Sequence, residues 1–300
     1  MAGASRAAAD LAAGRLEARL GAAQAWLALF YAERREGILD QLVSDARASA
    51  NAGRARLAAG AGIDEALAAE VDAARFEDRK ADNIAVVATA RAELRRWIGD
   101  AADEPLVGEL PTFSVDPDVL RAHLIRHPAL AAMDAETNEA EARVKLARAE
   151  THPDWSWGVS YQRRDPAFGD YVSAEVRIGL PLFQGSRQRP LINSKLDEVN
   201  RIGAERAALL REHSAILESR LAERDALAAN LQRAREIRLP LARQRASATT
   251  GALAAGSSSV AQTISVRRDA LEAELDIITL EERLNELNAA LSLEYGDVAP

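Results

Sequence analysis

"WSWGVSYQRRDPAFGDYVSAEVRIGLPLF", residues 155–183, stands apart in a chain otherwise written in alanine, leucine, arginine and glutamate at helical spacing. Of the five Phe, four Tyr and four Trp in 300 residues, six fall here. A period of two runs through both halves. Trp155, Trp157, Val159 and Tyr161 share one side of a first strand, opposite Ser156, Gly158, Ser160 and Gln162. Val172, Ala174, Val176, Ile178, Leu180 and Leu182 share one side of a second, opposite Tyr171, Ser173, Glu175, Arg177 and Gly179. "DPAFGD", 165–170, predicts the turn between them through its proline and glycine. Strands of about ten and about twelve residues have the reach of a tilted membrane crossing. Charges at alternate positions are costly in a sandwich core but suit a water-filled lumen. Ser156, Ser160, Gln162, Ser173, Glu175 and Arg177 are therefore pore-lining candidates. Trp155, Trp157, Val159, Tyr161, Val176 and Ile178 are lipid-facing candidates, with aromatics near strand ends as in an interfacial girdle. The alternative is a soluble ribbon laid on helices with its apolar face buried. A lone hairpin is barely stable either way, and a closed barrel must draw its other strands from other chains.

Outward from the hairpin the chain reads as helix. Residues 4–57 carry no proline, and Leu27, Leu29, Ile38, Leu39 and Leu42 recur at helical spacing. Such a helix is roughly 80 Å long. "LAAGAGID" breaks it, and a second helix over 63–98 runs through Leu67, Val71, Ile84, Val87, Leu94 and Ile98, making an antiparallel pair with the first. Residues 99–117 hold three prolines and read as a connector, with Asp116-Pro117 a cap and first turn. A short helix to Arg126 follows, and "HPAL" restarts another to about Glu150. Beyond the hairpin a long helix spans about 191–250, bent or broken at Pro240. A last one, 259–294, carries Ile264, Leu271 and Ile278 at spacings of seven, the mark of coiled-coil packing.

A repeat underlies this layout. "RASANAGRARLAAG" at 47–60 returns as "RASATTGALAAG" at 245–256, each closing a long helix before a shorter one that ends in glycine-aspartate, Gly99-Asp100 or Gly296-Asp297. Two helical hairpins are thus related by an offset of about 197 residues. The fold class is mainly α: long coiled-coil helical hairpins in tandem with one transmembrane-type β-hairpin.

Composition narrows the function. A net charge of -8 and a pI near 5.3 speak against a nucleic-acid partner. Without cysteine there are no disulfides, thiolate metal sites or thiol nucleophiles. The apolar run at 21–32 follows Arg15, Glu17 and Arg19 and continues as an amphipathic helix, so it does not read as an export signal. No stretch holds the ~20 apolar residues of a membrane-spanning helix. His123 and His127 have zinc-compatible helical spacing but no further ligand beside them, while His152 and His213 are isolated in the sequence. No metal site, cofactor or catalytic constellation is expected, and the chain is not expected to be an enzyme.

Taken together, "HPALAAMDAETNEAEARVKLARAETHPDWSWGVSYQRR", "YVSAEVRIGLPLF", "SRQRP" and the two "LAAG" turns resemble the TolC-like outer-membrane efflux channels. The wording around residues 127–164 looks most like the heavy-metal branch, the outer-membrane partner of cobalt, zinc and cadmium efflux systems. The resemblance implies a homotrimer in the outer membrane with a periplasmic tunnel of helices and a shared barrel. It also implies a periplasmic adaptor, a proton-driven inner-membrane pump, and a passive conduit gated at the hairpin tips. On that reading 1–98 is a first periplasmic helical hairpin, 99–127 an equatorial connector and 128–151 a helix leading to the barrel. Residues 152–185 are then the barrel hairpin and 186–300 a second helical hairpin. Gly60, Gly62, Asp64, Gly256, Ser257 and Ser258 at the tips become gate or adaptor-contact candidates, with Glu65 beside them. The family pattern has a β-hairpin before each long helix and an export signal, so the resemblance predicts an N-terminally incomplete protomer or a misplaced start. As written, a trimer would have six strands rather than twelve. A periplasmic adaptor remains an alternative, though that class pairs one helical hairpin with strand-rich modules. So does a cytoplasmic coiled-coil scaffold, which leaves the two-faced strands unexplained.

Overall fold

The computed structural model describes residues 2–60, 62–107, 110–163, 169–182 and 184–296. In chain order these form α1 (Ala2–Ala58), α2 (Ile63–Ile98), a 3-10 turn (Gly99–Asp103), α3 (Pro117–His123), a second 3-10 turn (Leu124–Arg126) and α4 (Pro128–Ala149). Then come β1 (Asp154–Gln162), β2 (Tyr171–Gly179), α5 (Gln188–Arg233), a π-helical turn (Ala234–Arg238), α6 (Leu239–Ala254) and α7 (Val260–Tyr295). No helix among the described residues is long and apolar enough to cross a membrane. Most of the "DPAFGD" turn, together with Phe183 and Asp297, lies outside the described residues.

Two compact units divide the chain, Met1–Ala13 with Ile125–His213 and Gly14–Leu124 with Ser214–Pro300. In the second unit α1 runs antiparallel to α2, as the ion pairs Arg47–Glu77 (2.6 Å), Arg54–Glu70 (3.5 Å) and Arg91–Glu33 (2.6 Å) record. The α6–α7 pair is likewise antiparallel, through Arg243–Glu274 (2.9 Å) and Arg245–Asp269 (3.3 Å). One core joins the pairs: Leu39, Leu42, Val43, Ala46 and Ala50 of α1 meet Ala73 and Phe76 of α2 and Leu271 and Leu275 of α7. Leu271 faces this core, and Ile278, seven residues on along the same seam, packs in a second cluster with Leu27, Tyr31 and Ala289.

The inner face of α2 is not the one its large residues suggest. Ala66, Ala73, Phe76, Ala90 and Leu94 are buried, while Leu67, Val71, Ile84 and Ile98 are about half exposed. Small side chains let α1 and α2 approach closely, which turns the aliphatic stripe outward. Gly53 packs against the Ala66 backbone, and Gly21 lies under the Trp97 indole, where a Cβ would sit 2.2 Å from the ring. Gly21→Ala is therefore expected to destabilise the chain by ~1–3 kcal/mol through overpacking. Gly37→Ala, with open space at its Cβ, should stabilise by ~0.5–1 kcal/mol through helix propensity. Urea denaturation of both variants checks the pair, and equal effects would rule out the close approach as the cause.

A half-buried carboxyl lies on α7. Burial raises the Glu286 carboxyl pKa, and the neighbouring Glu282 charge adds to the rise. The folded chain thus holds this proton more tightly than the unfolded chain. The associated stability is present below the ordinary carboxylate range and is lost as pH rises through the raised folded value. Glu286→Gln is expected to raise the Tm at neutral pH, with the gain fading on acidification; a pH-independent difference would refute it.

Pro240 acts one turn earlier than its position suggests. It removes a backbone donor and its ring presses on the carbonyl four residues back. The helix widens there into the π turn, with the Leu239 N–H donating to the Ala234 carbonyl. The helix then resumes to Ala254, past the predicted end at 250.

In the first unit α4 and α5 run antiparallel, linked by Arg143–Glu198 (3.0 Å) and Arg206–Asp134 (3.1 Å). Leu130, Ala135, Ala140, Val144 and Ala147 form the buried stripe of α4. His127 starts α4 as its cap, its Nδ1 accepting from the Ala129 N–H at 3.2 Å. Its ring lies against His213, with centroids 4.1 Å apart, so His213 is not isolated in the fold.

Candidate functional site

The hairpin is a two-stranded antiparallel ribbon whose register sorts its side chains without remainder. Trp155 pairs with Ile178, Trp157 with Val176, Val159 with Ala174 and Tyr161 with Val172, all on one face. Ser156 pairs with Arg177, Gly158 with Glu175, Ser160 with Ser173 and Gln162 with Tyr171 on the other. A slip of one residue would mix the faces, so pattern and pairing specify each other. On the polar face Arg177 pairs with Glu175 at 2.6 Å and the Ser160 and Ser173 hydroxyls lie 2.7 Å apart.

The apolar face is uncovered. Trp155, Trp157, Val159, Tyr161, Val172, Val176 and Ile178 are each 60–70% exposed. A ribbon laid on helices with that face buried is therefore not what forms. Both strands are also nine residues long, shorter than their sequence patterns. The ladder ends at Asp154 and Gly179 because Pro153 and Pro181 follow on either side and neither has an N–H to donate. Leu180 and Leu182 lie outside the paired strand, still about two-thirds exposed.

The turns that close the two helical pairs, α1–α2 and α6–α7, use one device. Gly60 (φ 90°) and Gly256 (φ 75°) take the left-handed conformation, their N–H groups donating to the Leu57 and Leu253 carbonyls. At the second turn the Ser257 N–H also reaches the Ala252 carbonyl (2.9 Å), completing a Schellman motif. Gly62 is extended at the start of α2, and Asp64 is exposed in its first turn. Ser257 is exposed and Ser258 half-buried, while Ser259 caps α7, accepting from the Gln262 N–H at 3.1 Å. The repeat is less close at its far ends: Gly99 has φ 66°, Gly296 φ -74°.

One cluster has no counterpart in the sequence reading. Glu281 of α7 is 5% exposed and is held by Arg34 of α1 and by Arg235 of the π turn, the latter at 2.6 Å. Beside it Asn285 donates to the Tyr31 hydroxyl (2.6 Å) and to the Glu281 carbonyl (3.0 Å). Asn285 continues the Ile264, Leu271, Ile278 series by one more step of seven. A polar residue at a seam position was the available sign.

Long paired helices carrying a two-faced β-hairpin form the TolC-like channel protomer fold, and solved structures bear this out. A membrane protein from Pseudomonas aeruginosa is 18% identical, with a TM-score of 0.82 over 97% of this chain and 68% of its own. The Campylobacter jejuni CmeC outer membrane channel is 14% identical, with a TM-score of 0.81 over 98% of this chain and 66% of its own. The Vibrio cholerae outer membrane protein VceC is 20% identical, with a TM-score of 0.79 over 97% and 72%. The chain thus spans about two thirds of the length of these structures. No curated protein matches it. Residues 119–296 match the family described as Outer membrane efflux protein, and the chain belongs to that family.

Proposed function

We propose that the chain is the channel protomer of a tripartite efflux system, a passive export conduit rather than an enzyme. The register-sorted, uncovered apolar face of the hairpin carries this reading. About two-thirds exposure of seven apolar side chains is costly in water and favourable in lipid. Trp155, Trp157, Val159, Tyr161, Val176 and Ile178 then face lipid. Ser156, Ser160, Gln162, Ser173, Glu175 and Arg177 line the lumen. A two-stranded ribbon has two open edges, so closure needs strands from further copies, and a homotrimer follows the family pattern. The outward aliphatic stripe of α2, Ile63, Leu67 and Val71, supports the same assembly. The tips, with Gly60, Gly62, Asp64, Gly256, Ser257 and Ser258, carry the gate and meet a periplasmic adaptor, which joins the channel to an inner-membrane pump.

The exported substrate is a heavy-metal cation, a reading supported by the wording of residues 127–164. Cell fractionation tests the channel: heat-resistant trimers in the outer membrane are expected, and a soluble monomer defeats the proposal. Deletion strains challenged with zinc, cobalt, cadmium and an organic drug test the cargo. Sensitivity to the drug alone would reassign it.

A further inference from the structure

Two helices of the second unit each turn a coiled-coil seam outward. On α2, Leu67, Ala74, Ala81 and Ala88 stand seven residues apart, Ile63 and Ile84 lie three such steps apart beside them, and all are exposed. From the π turn into α6, Ile237, Gln244 and Gly251 stand seven apart with Leu241 and Ala248 between them, again all exposed. The two seams do not meet within one chain. α2 is tied to α1 by Arg54–Glu70 (3.5 Å) and to α7 by Arg268–Asp72 (2.6 Å), and α6 is tied to α7 by Arg243–Glu274 (2.9 Å). Among the described residues no ion pair or core cluster joins α2 to α6.

Ion pairs also set the heights of the seams. Glu33 of α1 holds Arg91, and its neighbour Arg34 holds Glu281, which in turn holds Arg235. Counted from there toward the tips, Ala88 and Ile84 lie three and seven residues beyond Arg91, and Ile237 and Leu241 two and six beyond Arg235. The seams are thus antiparallel and level to within about one residue's rise, ~1.5 Å. Beside them Asp78 makes no ion pair among the described residues, and Arg245, within one turn of the same height, is 62% exposed and 3.3 Å from Asp269.

We propose that α2 of one copy packs on α6 of the next, a head-to-tail contact whose repetition closes the ring of copies. Ile237 and Leu241 then sit among Ala81, Ile84 and Ala88 of the next copy, large side chains against small ones. Ala248 and Gly251 let the helices approach closely toward the tip, and Arg245 reaches Asp78 across the seam. The contact rests on the trimer proposed above and names the surfaces that build it.

The chain has no cysteine, so paired cysteines report the contact directly. Ile84→Cys with Leu241→Cys, purified as the full chain in detergent and oxidised, should run as covalent dimers and trimers on a heated, non-reducing gel, since a disulfide reaches only about 4.4–6.8 Å between Cα atoms. Each single variant should run as monomer there, and so should Val86→Cys with Leu241→Cys, because Val86 lies about 160° around α2 from Ile84. Native mass spectrometry of the same samples reports the assembly. Trimers without a cross-link overturn this seam while the trimer stands. Equal cross-linking of the Ile84 and Val86 pairs marks random collision and overturns the seam as well. Cross-linking that stops at a doubly bridged dimer means a two-fold pair and overturns the ring. A monomer throughout overturns both the seam and the trimer.

Discussion

Val176→Arg is expected to remove the chain from the outer-membrane fraction, whereas Ser160→Arg leaves it there. Val176 pairs with Trp157 near the middle of the nine-residue ladder, on the face that is 60–70% exposed. A lipid-facing Arg at the bilayer midplane costs ~2–4 kcal/mol, or about 6–12 kcal/mol across the three copies of the proposed trimer. That rivals the whole folding stability of a typical domain, ~5–15 kcal/mol. Ser160 sits on the polar face opposite Ser173, where a charge meets water. The same residue type on two faces thus separates sidedness from any general intolerance of charge. Equal loss, or equal recovery, of the two variants on fractionation would show that the hairpin has no lipid side.

Loss of both arginines around Glu281 has the second large effect. Arg34→Ala with Arg235→Ala strands a carboxylate whose side chain is 7% exposed, and removing the partners of a buried charge costs ~3–5 kcal/mol. The reverse change is milder. Arg34 and Arg235 are 48% and 56% exposed, so in Glu281→Gln they turn to solvent and the cost falls to ~1–2 kcal/mol. The triple variant Arg34→Ala, Arg235→Ala, Glu281→Leu should regain most of what the double loses. Thermal unfolding of the three distinguishes a buried ion cluster from surface pairs; a double variant within ~0.5 kcal/mol of wild type would reduce the cluster to surface chemistry.

What could be read in the sequence follows from how local its causes are. The hairpin faces were legible because alternation along each strand already encodes which residues can pair, and Trp155 to Tyr161 leave one arrangement. Helix ends were legible wherever glycine or proline acts within a turn, as at Gly60, Asp116 and Gly256. The Glu281 cluster was not, because Arg34 lies 247 residues away and only packing selects it from the other arginines. The outward turn of Leu67 and Val71 was hidden too: periodicity finds a stripe, and neighbouring alanines decide which stripe goes inward. Pro240 announced a disturbance without its form.

That form has a consequence for how this chain can change its length. Before the π turn α5 buries Leu217, Leu221, Leu227 and Leu231; beyond it α6 buries nothing fully. Because the π turn holds one residue more than an α turn, deleting one residue from 234–238 would let the helix close as ordinary α and leave Arg243 and Arg245 facing Glu274 and Asp269. Substitutions there touch one side chain at a time. A single deletion would be absorbed at the bulge rather than elsewhere in α6, so a family member one residue shorter here should run through as uninterrupted α-helix.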